Sequence, residues 1–109
     1  MTAQFIPVGE PAHDAERQAL RLIVEGLPDH YVVYGNPWLV ERGGAVNELD
    51  AVVVAPHAIY VVEVVGERKL DLSTVESQFE SVTPLPLQPV VYRGRTLHRL
   101  QMFECRNLR

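Results

Sequence analysis

Two consecutive runs, Leu49-Asp50-Ala51-Val52-Val53-Val54 and Ile59-Tyr60-Val61-Val62-Glu63-Val64-Val65, constrain this chain more than any other feature. Both are rich in β-branched residues and apolar at nearly every position, the pattern of strands covered on two faces rather than of edges washed by water. Pro56-His57 lies between them, so residues 45–65 read as an antiparallel hairpin at the centre of a sheet. Strands buried on both faces need other elements above and below. The 109 residues supply one such core, since two would leave about 55 residues each, near the lower limit for folding unaided. Residues 1–109 are therefore expected to form a single α/β domain.

The flanks supply the covering layers. Residues 11–27 read as an N-terminal helix, with Pro11 suited to a first turn, Asp14 and Glu16 near its positive end, and Gly26 and Pro28 to stop it. Ala19, Leu20, Leu22, Ile23 and Leu27 recur at helical spacing. Glu16, four before Leu20 and seven before Ile23, belongs to that apolar stripe. Tyr31–Tyr34 and Trp38–Glu41 read as strand, interrupted at Gly35-Asn36-Pro37, and Arg42-Gly43-Gly44 as a turn. Leu70–Val82 is a short helix or a strand with a loop. Thr83–Pro89, with three prolines, is extended or irregular. Arg95–Leu108 is drawn as a C-terminal helix with Leu97, Leu100 and Phe103 inward; a hairpin turn at Tyr92-Arg93-Gly94-Arg95 is the alternative. Tyr31, Tyr34, Trp38 and Tyr60 are assigned to core or half-buried sheet rather than to base stacking, and His57 to the turn.

Charge and cysteine content exclude some classes. Ten basic and fourteen acidic residues give a net charge of −4, which is not that of a histone-like or tail-driven nucleic-acid binder. The balance is uneven. Residues 1–92 hold five basic and thirteen acidic side chains, whereas residues 93–109 hold Arg93, Arg95, Arg99, Arg106 and Arg109 against Glu104 alone. Arg93, Arg95 and Arg99 are the candidate phosphate contacts. A lone Cys105 excludes an internal disulfide and a cysteine-based zinc site, and is expected to be a small buried side chain. With no membrane-length apolar run and no signal-peptide pattern, a cytoplasmic location is expected.

The chemistry lies in the hairpin. A two-residue turn at Pro56-His57 sets Val54 opposite Ile59 and Val52 opposite Val61, and by continuation Asp50 opposite Glu63. Their Cβ atoms would then lie about 4.5–5.5 Å apart. Facing carboxylates beside buried valines repel and resist desolvation, so they call for a shared proton, an Arg or Lys, or a divalent metal. Oxygen-only ligands suit Mg2+ or Mn2+. One extra turn residue would swap the parity of a strand and undo the pairing.

A helix with an inward Glu16, a strand with Glu48-Leu49-Asp50, a tight turn and Ile59-Tyr60-Val61-Val62-Glu63-Val64 together resemble the nuclease-related domain family, NERD. That family is similar to restriction-endonuclease-like PD-(D/E)xK nucleases. The likeness runs from about Gly9 to Gly66. It implies a restriction-endonuclease-like core and the catalytic set Glu16, Asp50 and Glu63. Asp50 and Glu63 would hold Mg2+ or Mn2+ with the Val64 carbonyl, and Glu16 would approach directly or through water. The resemblance further implies a metal-dependent phosphodiester hydrolase acting on DNA, with RNA not separated from it, and kinase or helicase domains as partners. Val65 stands where the family carries a lysine, two residues after Glu63; Lys69, or Arg68, is the candidate substitute. That departure keeps a second reading open, a non-catalytic interaction or regulatory module that retains the nuclease fold.

Overall fold

The predicted hairpin forms at the predicted register. In the computed structural model, which describes residues 2–11, 14–40, 44, 46–65 and 72–109, β5 (Ala51–Val54) and β6 (Ile59–Val64) pair antiparallel. Val54 faces Ile59, Val52 faces Val61 and Ala51 faces Val62. The Ala55 N–H donates to the Ala58 carbonyl at 3.0 Å, closing a two-residue turn at Pro56-His57.

The remaining elements are β1 (Gln4–Pro7), α1 (Asp14–Gly26), β2 (Val32–Gly35), β3 (Trp38–Val40), β4 (Val46–Glu48), α2 (Leu72–Gln78), β7 (Phe79–Pro84), β8 (Gln88–Tyr92) and β9 (Arg95–Leu108). The main sheet runs in the order β1-β2-β5-β6-β9-β7, with β8 also on β9, so the hairpin is central. Only the β1–β2 pairing is parallel among the described strands. Each sheet face has its own core. Ala51, Val53, Val62 and Leu100 pack with Ala19 and Leu20 of α1 on one side. Val61, Phe103 and Cys105 pack with Val75 of α2 and Phe79 of β7 on the other. A helix covers each side, which is why β5 and β6 are apolar at consecutive positions.

The expected helix over 95–108 is instead the 14-residue strand β9. Leu97, Leu100 and Phe103 recur at three, but β9 is covered on both faces, so its apolar residues need not alternate. Leu100 enters one core and Phe103 the other. The turn that sends the chain back is Arg93-Gly94, with φ of 50° and 74°. Two successive positive φ values between Tyr92 and Arg95 are those of a two-residue hairpin turn whose twist matches the strands. The alternatives for residues 70–82 both occur in succession, α2 and then β7. The turn at Arg42-Gly43 lies outside the described residues.

β3 and β4 are more closely tied to the sheet than their separate pairing indicates. Val32–Gly35 pair with Ala51–Val54, and Trp38–Val40 pair with Val46–Glu48 in the same register. Between them the Asn36 N–H donates to the Asp50 carbonyl (3.0 Å) and the Leu49 N–H to the Pro37 carbonyl (2.9 Å). This is one long antiparallel pair folded at Asn36, whose φ of 51° lies in the left-handed region that Asn tolerates better than most residues. Among the described residues no helix is long and apolar enough to cross a membrane.

Candidate acidic site at the end of the sheet

The fold at Asn36 sets the position of Asp50. The Asp50 main-chain carbonyl remains bonded to Asn36, while its side chain turns toward β6 and accepts the Val64 N–H on Oδ2 at 2.8 Å. A carboxylate thus occupies the place where a strand carbonyl would continue the ladder. Asp50 is only 2% exposed and Glu63 only 7%. Glu63 lies on β6 opposite Gln101 of β9, and alternation puts it on the face of Val61, the α2 side. Extending the β5–β6 register by one residue sets Asp50 across from Glu63. Two ionisable oxygen groups therefore meet at one end of the central hairpin, removed from water, where each charge costs several kcal/mol unless compensated.

Glu16 takes a different position. It is half-buried in the first turn of α1, and α1 packs on the face of Val53 and Val62, opposite to the face of Glu63. Among the described residues no three His, Cys, Asp or Glu side chains are grouped closely enough to hold a metal by themselves. The donor set at the site is hard oxygen: the Asp50 and Glu63 carboxylates and main-chain carbonyls beside them. Mg2+ is commonly held by one or two carboxylates, with water and substrate phosphate completing its shell. The residues present fit that pattern.

The cations are distributed differently from the sequence expectation. Lys69 and Arg68 lie outside the described residues. The five C-terminal arginines do not form one cluster. Arg106 pairs with Glu104, its Nε 2.7 Å from Oε1, and Arg109 donates through Nε to the Glu76 and Phe79 carbonyls at 3.1 and 3.2 Å. Arg93, Arg95 and Arg99 are exposed. They lie where the β8–β9 hairpin extends past the last residue of β6, beyond the end of the sheet that carries Asp50 and Glu63. The β3–β4 arm leaves the same end on the other side, past Asn36 and Asp50. Its Trp38 is 65% exposed, contrary to its assignment to core or half-buried sheet, because it lies two residue pairs past the fold of the ladder at Asn36.

Sequence reasoning missed Asn36 as the folding point, and missed that Arg99 stands across from Val65. The signal for the first was the Gly35-Asn36-Pro37 interruption, read there only as a break. The second required β9 to be a strand, which the Arg93-Gly94 turn signal would have indicated.

The fold and these groups define a layered α/β domain with a buried acidic pair at one sheet end, flanked by two hairpin arms. Residues 11–91 match the family model of the nuclease-related domain, and the chain belongs to that family. The match covers Glu16, Asp50 and Glu63 and extends beyond Gly66, where the sequence likeness ended. No curated protein and no solved structure matches the chain.

Proposed function

We propose that this domain binds Mg2+ or Mn2+ and DNA at the Asp50–Glu63 end of its sheet and acts there as a metal-dependent phosphodiester hydrolase on a restriction-endonuclease-like core. The observation that carries this reading is the burial of Asp50 and Glu63 at one end of the central hairpin, with Asp50 Oδ2 held on the Val64 N–H. Such a pair is costly in an empty protein and favourable around a divalent cation. Asp50 and Glu63 would hold the cation with the Val64 carbonyl; Glu16, on the α1 side of the sheet, is not assigned to it. When bound, the cation polarises the phosphate and lowers the pKa of the attacking water. Arg93 and Arg95, on the arm past the acids, contact phosphates on either side of the scissile bond. They supply the positive surface that the acidic remainder of the chain lacks.

Thermal unfolding with and without Mn2+ tests the metal site. Mn2+ at about one hundred times its Kd stabilises the wild type by about 2.7 kcal/mol. Glu63→Gln loses that stabilisation while remaining folded. Equal shifts in both proteins, or none in the wild type, overturn the assignment. Cleavage of plasmid DNA then tests the activity.

A second reading has one observation in its favour. Val65 is apolar and 45% exposed at the strand position beyond Glu63, where it offers no charge to water or phosphate. Metal-independent behaviour together with no salt-dependent DNA binding would favour an interaction or regulatory module on this fold, with kinase or helicase domains as its partners.

A further inference from the structure

We propose that Arg99 is the cation that contacts the scissile phosphate, from the strand neighbouring Glu63. Glu63 faces Gln101 and Val64 faces Leu100, and the Val65 N–H donates to the Arg99 carbonyl at 2.8 Å. Arg99 therefore lies directly across from Val65. Facing residues of antiparallel strands project to one side, so Arg99 and Gln101 share the face of Glu63 and Val65. Val61 and Phe103, two alternations further along, do share one core. This sets the Arg99 Cβ about 4.5–5.5 Å from that of Val65 and about 7–8 Å from that of Glu63, the diagonal distance that long side chains span.

Three other arginines are less well placed. Arg106 is paired with Glu104 at the far end of β9, and Arg21 is paired with Glu25 on the exposed side of α1. Arg95 is four residues from Arg99, roughly 13 Å along an extended strand. Arg99 is exposed, lines a shallow pocket with Leu87, Pro89 and Thr96, and has no ion pair among the described residues.

Chemistry limits what Arg99 does. Two carboxylates cancel a divalent cation, so the charge that builds on a pentavalent phosphate needs a further positive group. A guanidinium supplies two parallel donors to phosphate oxygens. It keeps its protons in a protein, so Arg99 stabilises charge and orients the phosphate but accepts no proton from water.

This inference rests on the proposed metal and DNA site, and one set of variants separates their failures. A fluorescent DNA duplex is titrated with Ca2+ in place of Mn2+, which reads binding without turnover, and cleavage is measured with Mn2+. Arg99→Ala is expected to weaken binding about tenfold and to lower the slope of log K against log salt by about one, with its thermal midpoint unchanged. Cleavage falls about a hundredfold. Adding Val65→Lys, at a site exposed enough to accept it, puts a cation back on the same face and restores most of both losses. Arg99→Ala indistinguishable from wild type, while Glu63→Ala abolishes metal-dependent binding, overturns Arg99 alone. Loss without restoration by Val65→Lys also overturns it. A wild type with neither DNA binding nor cleavage overturns the site and Arg99 together.

Discussion

Among the described residues two hairpins are built on two-residue turns, and they are held in different ways. The β5–β6 hairpin is held by its faces: Ala51, Val53, Val61 and Val62 are each at most 2% exposed. The β8–β9 hairpin is held at its tip by backbone geometry, with Arg93 and Gly94 both at positive φ, while Val91 beside them is 52% exposed. The first positions two carboxylates that resist burial, which requires a rigid two-sided core. The second carries exposed arginines past the end of β6, which requires reach rather than burial. Packing supports the acids and turn chemistry supports the cations.

That contrast breaks first at the core. Val62→Ala removes two methyl groups from a fully buried position and is expected to cost about 2–3 kcal/mol, lowering the thermal midpoint by about 10 °C or more. Val91→Ala, on the exposed arm, should stay within about 0.5 kcal/mol. Gly94→Ala acts where packing is absent. A Cβ there meets nothing within 4 Å, yet at φ 74° it strains the backbone by about 1 kcal/mol. Denaturant titration reads both, and a tip substitution that cost more than the core one would reverse the comparison. The smallest effect concerns Cys105, on the stretch of β9 packed against β6. It is 1% exposed, and burial pushes its thiol pKa above the ordinary value. A proton retained by the folded state and released by the unfolded one weakens stability as pH rises through the ordinary thiol pKa. Cys105→Ala should flatten that small alkaline decline, and iodoacetamide should label Cys105 only as the chain opens.

The central hairpin was legible because two local signals agreed there: β-branched runs and the Pro56-His57 break between them. Agreement across levels is what makes a segment readable. The same two-sided burial makes β9 hard to read. When both faces of a strand are apolar the period of two disappears, and Leu97, Leu100 and Phe103 then imitate a helix. Asp50 and Glu63 were legible as a pair because turn length sets parity. Glu16 was legible as a polar residue on an apolar stripe, but not as one on the other side of the sheet. Trp38 has strand chemistry and strand conformation; its exposure follows from a fold in the ladder at Asn36.

By itself the sequence determined the family, the central hairpin, its register and therefore which two carboxylates meet, because all of these depend on contacts close along the chain. Tertiary structure alone decided that α1 lies across the sheet from Glu63 and that Arg99 stands opposite Val65. Those relations join residues 34 or more positions apart. Chain entropy opposes such pairings until the whole sheet is assembled, so no local pattern of residues records them.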